Sequence, residues 1–334
     1  MYTIEYTINM RSSKPQTQQT SKNNHEERIK PSSAAFKKFE HDIWNYYKKN
    51  KRDLPWRHTT DPYHILVSEV MLQQTQVSRV IPKYQEFLKK FPNIKALAKA
   101  TKPEVLTVWQ GLGYNRRALF LKKTCETLLE QNPKHPQFPT YHEELLKLPG
   151  IGQSTAGAIL NFSFNIPAPF IETNIRAVFL YYFFKGTSSV SDIHIYELIQ
   201  ETLKHKKQKD SPREWFYALY DYGSMLKATL GKNKTELHKQ SKHYNKQTSF
   251  KGSNREIRSS ILKLILETND TITETLIIDT ITQKLLQATV ENIKKNIEAL
   301  EREGFIHIID KSTPQSRGTI RGSGDSERII RLVQ

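Results

Sequence analysis

Residues 145–159, LLKLPGIGQSTAGAI, constrain this chain more than any other stretch. Leu145, Leu146 and Leu148 end an apolar helical face. Pro149 has no amide hydrogen to donate, and Gly150 and Gly152 favour a turn, so the helix cannot run through them. Ser154 or Thr155 then caps a second helix of small residues, and Ile151 plugs the space between the two. The glycines leave backbone amides uncovered at a helix start, where a phosphate oxygen can meet them. An ordinary helical hairpin with a Pro-Gly turn has the same pattern, so the turn alone does not name a ligand.

Charge narrows the choice. The 334 residues carry 51 Lys and Arg against 34 Asp and Glu, a formal net charge of +17 at pH 7. That excess favours a polyanionic partner, most simply nucleic acid; a basic surface indifferent to nucleic acid is the competing reading. A chain of this length can bury a sizeable core and hold two domains. Its one cysteine, Cys125, permits no intrachain disulfide and no cysteine-rich metal cluster, and is expected to be a buried helix residue. No run of about 18 apolar residues predicts a membrane span. The N-terminus has no charged-then-apolar signal pattern, so a cytoplasmic location is expected, with nucleoid association if the source is prokaryotic.

In chain order, residues 1–33 are expected to form a disordered basic tail, because from Met10 onward the stretch is polar and nearly free of apolar side chains. Residues 35–49 place Phe36, Phe39, Ile43, Trp44 and Tyr47 at helical spacing. In the loop that follows, Trp56 is a packing candidate, and Arg57 either meets a phosphate or pairs with an acid. Residues 65–80, ILVSEVMLQQTQVSRV, set Glu69 inside an apolar segment. A carboxylate there is costly to bury unless paired or protonated, and burial raises its pKa toward that of a proton donor at neutral pH. A satisfied structural glutamate is the alternative. Gln73, Gln74 and Gln76 follow at once; uncharged amides can read bases or fill a distorted duplex, or simply face solvent.

Residues 109–121, WQGLGYNRRALFL, hold a Gly-Leu-Gly turn and then Tyr114, which the turn either pushes into a base stack or packs at a helix start. Beyond the hairpin, Glu172 follows apolar residues and stands close to Asn174, near enough in sequence to return to the same cleft; a surface acid at a helix start is the other reading. Residues 190–203 and 215–226 read as helices. Residues 227–253 turn Lys- and Asn-rich, which predicts an exposed loop or arm. Helices at 254–266 and 290–300, a strand at 305–309, a flexible turn at 311–327 and a return strand at 328–333 suggest a winged helix.

Taken together, LPWR (54–57), PYHILVSEVMLQQTQV (62–77), GLGYNRRA (111–118), LPGIGQSTAGAIL (148–160) and ALYDYGSML (218–226) resemble the helix-hairpin-helix DNA glycosylase superfamily. Within it, they are similar to the MutY-type adenine glycosylases. The resemblance covers residues 35 to 226. It implies a mainly α fold with a cleft between two helical subdomains over residues 34–226; the composition and pattern beyond it add the Lys-rich arm (227–253) and a small winged-helix-like α+β domain (254–334). It implies that Glu69 protonates the leaving base, that Glu172 and Asn174 form the second, cation-stabilising group, and that Tyr114 probes the opposite base. Gln73 and Gln74 match residues at the lesion and its partner strand. With Arg57, Thr75, Gly150, Gly152, Gln153 and Ser154 they make up the expected DNA-contacting set. Ser154 stands where lyase-type relatives carry a nucleophilic lysine, which implies a monofunctional enzyme. The implied partner is double-stranded DNA with a mismatched or oxidised base pair, bound by a monomer.

Three departures stand out. Glu172-Thr173-Asn174 replaces the usual Asp-Gly-Asn. The four-cysteine iron–sulfur loop is missing: Lys227 stands at the first ligand's place, and no cofactor or metal is expected. The usual domain that recognises 8-oxoguanine has no recognisable counterpart.

Overall fold

The computed structural model describes residues 31–333, apart from 232–233, 245–248, 269–270 and 311–327. The expected N-terminal tail therefore lies almost wholly outside the described residues, as does the expected wing at 311–327.

The helices in chain order are α1 (Ser33–Asn50), α2 (Pro62–Leu72), α3 (Val77–Lys90), α4 (Ile94–Lys99), α5 (Lys102–Trp109), α6 (Arg116–Gln131), α7 (His142–Leu146) and α8 (Gln153–Phe164). They continue as α9 (Thr173–Phe183), α10 (Asp192–Thr202), α11 (Lys206–Asp210), α12 (Pro212–Thr229) and α13 (Lys234–Lys239). The C-terminal part adds α14 (Asn254–Glu267), β1 (Thr271–Thr273), α15 (Glu274–Lys284), α16 (Val290–Arg302), β2 (Ile306–Asp310) and β3 (Arg328–Leu332).

Two apolar cores divide the helical part. One gathers Trp109, Phe87, Leu121, Leu145 and Ile159, and extends into the C-terminal part through Ile257, Ile261 and Leu300. The other is aromatic: Phe39, Phe179 and Trp215 interlock, and Phe162 stacks on Tyr217 with ring centroids 4.2 Å apart. Helices α2 and α8 belong to both. On α2, Leu66 and Val67 enter the first core and Ile65 the second. Glu69 is four residues after Ile65, so helical periodicity puts it on the face turned to the aromatic core. Small residues let the spine pack tightly: a Cβ on Gly157 of α8 would come 2.5 Å from Phe170 Cβ.

The stretch 65–80 spans two helices. α2 stops at Leu72, the turn 73–76 follows, and α3 begins at Val77. The expected break at 227 moves as well: α12 runs through Lys227 to Thr229. The segment beyond it is not merely an exposed arm. α13 buries Leu237 in the aromatic core, and Ser241 forms a parallel bridge with Val190. Leu237 is the apolar anchor that the Lys-rich composition obscured.

In the C-terminal part, three helices pack on an antiparallel sheet of order β1-β3-β2, with Ile330 of β3 opposite both Ile272 and Ile308. β1 and α15 were not anticipated; three residues are too short for a strand to declare itself by alternation.

Candidate active site

The hairpin forms as the residues demand, with one difference in its cap. Leu145 and Leu148 are buried, Gly150 has φ +77°, and Ile151 is buried in the gap. The N-cap of α8 is Gly152, not Ser154 or Thr155. The Thr155 side chain is buried, and the Ser154 hydroxyl donates instead to the Ile171 carbonyl at 2.6 Å, tying α8 to the segment that carries Glu172. The first helical bond of α8 runs from Ala156 N to Gly152 O, so the preceding amides have no partner within the helix. Gly152, Gln153 and Ser154 are exposed on that rim.

Gln73 lines a small crevice with Gly150, Ile151, Phe120 and Arg117, which puts the Gln-Gln-Thr turn next to the hairpin. Gln73 and Gln74 are exposed, and Gln74 adopts the left-handed region at φ 55°. Arg117 builds this corner. Its guanidinium donates to the carbonyls of Val70, Gln73 and Gly113 at 2.6, 2.6 and 3.0 Å, and to the Thr75 hydroxyl at 3.2 Å. One side chain thus closes the open end of α2 and binds the Gln-Gln-Thr turn to the Gly-Leu-Gly turn. Burial lowers its pKa to about 10. Tyr114 follows that turn, half-buried, with φ 49°.

Arg57 is not a phosphate contact. Its side chain is 3% exposed, and Nη1 and Nη2 reach the Asp221 carboxylate at 2.8 and 2.7 Å. Arg52 shares the same carboxylate. Desolvation works against the Asp221 charge, but the two guanidiniums outweigh it and hold the carboxyl below its usual range. The alternative left open by the sequence, a pair with an acid, is the one observed.

Glu69 and Glu172 come from different helices to one place. Glu69 is half-buried on α2, and the Tyr220 hydroxyl of α12 donates to it at 3.4 Å. Its pKa is pushed up to about 8, mainly by burial and then by the charge of Glu172. Tyr220 is packed against the rings of Phe162 and Phe170, and burial beside the two carboxylates raises its phenol well above the ordinary value, so it remains a donor. Glu172 is the N-cap of α9. One carboxylate oxygen accepts from the amides of Asn174 and Ile175 at 2.7 and 2.9 Å, and the other from Asn174 Nδ2 at 3.2 Å. These bonds occupy two of the orphan amides at the start of α9 and fix the orientation of the carboxyl group. Asn174 Oδ1 in turn accepts from Lys227 Nζ at 2.7 Å. α12 comes this close because residue 223 is glycine: a Cβ there would stand 2.5 Å from the Asn174 carbonyl oxygen.

The arrangement pairs a protonated acid with a carboxylate charge. That combination can protonate a leaving group on one side of a reacting carbon and offset positive charge on the other. Tyr220, Arg117 and Lys227 were not singled out as site residues from sequence. Tyr220 and Arg117 both lay inside matched phrases, but their partners are distant in sequence. Among the described residues no group of three His, Cys, Asp or Glu side chains could hold a metal ion, and no helix is long and apolar enough to cross a membrane.

Comparison with known proteins gives a consistent picture. Residues 67–219 match the family model described as HhH-GPD superfamily base excision DNA repair protein. An adenine DNA glycosylase of Buchnera aphidicola subsp. Baizongia pistaciae is 37% identical over 189 residues, 56% of this chain and 52% of that protein. One from Mycobacterium tuberculosis is 39% identical over 134 residues, 40% of this chain and 43% of that protein. One from Mus musculus is 34% identical over 184 residues, 52% of this chain and 35% of that protein. The chain thus spans about half the length, or less, of these curated relatives. Among solved structures, a thermostable thymine-DNA glycosylase superposes with a TM-score of 0.51 at 26% identity, covering 63% of this chain and 97% of the other.

Proposed function

We propose, from the match of residues 67–219 to the HhH-GPD superfamily model, that this protein is a monofunctional DNA glycosylase that removes adenine mispaired with 8-oxoguanine or guanine. The observation that carries the reading is the Glu69–Glu172 pair: a carboxyl held protonated to about pH 8 beside a carboxylate capped by three donors. The Gln-Gln-Thr turn, next to the hairpin through Gln73, adds support. The names of the relatives support adenine as the base.

A base inside a duplex is out of reach, so the nucleotide must be flipped out, at a cost of a few kcal/mol. Phosphate oxygens would meet the amides of the turn around Gly150, Gly152 and Gln153, with the Ser154 hydroxyl already committed to Ile171. Glu69 would deliver its proton to a ring nitrogen of the extruded purine. The bond between C1′ and the base then breaks with its electron pair leaving on the neutralised base. The sugar develops oxocarbenium character, which the Glu172 carboxylate offsets. Asn174 and Lys227 hold that carboxylate in place. Water adds to C1′ and gives up a proton, which restores the one Glu69 donated, and an abasic site is left; with Ser154 and not an amine at the start of α8, no Schiff base forms there. No metal or redox cofactor enters this scheme.

A second reading has its own support: the superposed thymine-DNA glycosylase acts, by its name, on thymine. Single-turnover cleavage of duplexes carrying adenine opposite 8-oxoguanine, adenine opposite guanine, thymine opposite guanine and uracil opposite guanine separates the two. Excision confined to the adenine duplexes is the expected result. Preference for thymine or uracil favours the second reading, and no excision from any duplex leaves a DNA-damage binder.

A further inference from the structure

Tyr114 is held in a sterically costly pose. A left-handed backbone brings the Cβ of a non-glycine residue too close to the following carbonyl oxygen, and φ is 49° here. Such a conformation persists only where the surroundings enforce it. Arg117 supplies part of that enforcement, with its guanidinium 5.5 Å from the ring centroid. The rest comes from the C-terminal part of the chain. Arg255, on the first turn of α14, donates from Nη1 to the Tyr114 hydroxyl at 2.6 Å, and its guanidinium carbon lies 5.4 Å from the same ring. Arg255 is itself fixed: Nη2 donates to the Ser249 carbonyl at 3.2 Å, and α14 is anchored by Ile257, Ile261 and Ile265. Tyr114 is also one residue from Gly113, whose carbonyl Arg117 links to that of Gln73. The ring therefore stands on the proposed DNA rim, with its hydroxyl orientation set from the C-terminal side.

We propose that Arg255 is a positioning residue for Tyr114, through which the C-terminal winged-helix-like part takes a share in selecting the base opposite the excised one. The proposal rests on the glycosylase reading above. A tyrosine whose hydroxyl is pinned presents one edge to the opposite base and discriminates between bases. A free one rotates and discriminates less, because a site built to hydrogen-bond a particular group rejects partners that lack it.

The test uses the full chain and equilibrium binding to duplexes with an uncleavable abasic analogue opposite guanine, 8-oxoguanine or cytosine, so that it does not depend on catalysis. Arg255→Ala is expected to reduce the ratio of affinities, purine over cytosine, roughly tenfold, the scale of one charge-assisted hydrogen bond. Tyr114→Phe is expected to do the same, and the double variant no more than either alone. Arg255→Lys keeps the charge but not the forked geometry and is expected to recover only part of the ratio; unchanged circular dichroism and Tm certify the fold of each variant. A uniform loss of affinity for all duplexes would mean a phosphate contact, and additive effects would mean that Arg255 meets DNA independently of Tyr114. Either overturns the proposal. Excision by the wild type is measured in parallel: its absence sinks the glycosylase reading, whereas the binding ratios still decide the role of Arg255.

Discussion

Glu69 must be un-ionised to donate a proton, and its surroundings keep it so to about pH 8. The excision rate is therefore expected to be level through neutral pH and to fall toward tenfold per unit above about 8; a rate still rising at pH 9 would exclude Glu69 as the acid. The same group bears on stability. In the unfolded chain it ionises near 4.5, and in the folded one near 8. Between these values the folded state carries the extra proton, so stability falls as pH rises across that window and is flat outside it. Glu69→Gln removes the penalty. It should abolish excision, leave DNA binding within a few-fold, and stabilise by roughly 2 kcal/mol at pH 8 after allowance for solvent access, with little gain at pH 4.5. Calorimetry at the two pH values checks the difference. Glu172 allows a finer test, because it is both a cap and a charge. Glu172→Asp retains a good N-cap, whereas Glu172→Gln is expected to cost about 1 kcal/mol and most of the activity. If the longer side chain sets the carboxylate position, the aspartate variant should lose on the order of 100-fold in single-turnover rate; activity equal to wild type would mean the extra methylene is only tolerated.

Two glycines in one turn have different duties. Gly150 has φ +77°, and a Cβ there would lie 2.6 Å from Phe120 Cβ, on the neighbouring α6. Gly150→Ala is expected to destabilise by roughly 2–3 kcal/mol through strain and steric overlap. Gly152 has an ordinary φ of −100°, and a Cβ there would meet nothing within 4 Å. Gly152→Ala should cost no more than about 1 kcal/mol, the loss of a favoured N-cap residue, yet weaken DNA binding on the order of tenfold, because the new methyl covers the amides offered to phosphate. Equal loss of stability in both variants, read by thermal melts, would show that the turn is structural throughout and leave the phosphate role of Gly152 without support.

Across the whole molecule, Arg57 and Asp221 join the loop after α1 to α12. Asp221 is 1% exposed, so Arg57→Ala strands a buried charge with Arg52 as its remaining cation and is expected to cost roughly 3 kcal/mol. The salt dependence of DNA binding should be unchanged; a slope lower by about one, the mark of a lost phosphate contact, would contradict the assignment. The resemblance implies a cysteine-ligated cluster after residue 226; this chain has there Lys227 on α12 and a short helix anchored by Leu237. Its one cysteine, Cys125, is buried on α6. The purified protein is expected to be colourless, and iron near four per chain with broad absorbance around 400 nm, as a cluster would give, would refute that expectation.

The sequence by itself determined the local and compositional features. Proline and two glycines forced the hairpin turn, apolar spacing placed α1, α14 and α16, and Glu69 stood out because an acid inside an apolar run is chemically costly wherever it falls. These readings depend on a few neighbouring residues, which is why they were legible. The tertiary structure decided everything that needed a partner distant in sequence. Arg57 looked the same whether it faced a phosphate or Asp221, 164 residues away; only the packing of α12 on the loop after α1 chose the acid. Ser154 read as a cap by type, but the nearness of Ile171 gave its hydroxyl a better acceptor. Leu237 was hidden among lysines until α9 supplied a surface for it. The pairing of Glu69 with Glu172 belongs to the same class. Each residue was visible alone, but one raises the pKa of the other only because α2 and α9 converge on Tyr220, and the range of a carboxylate's field is a matter of ångströms and not of sequence separation.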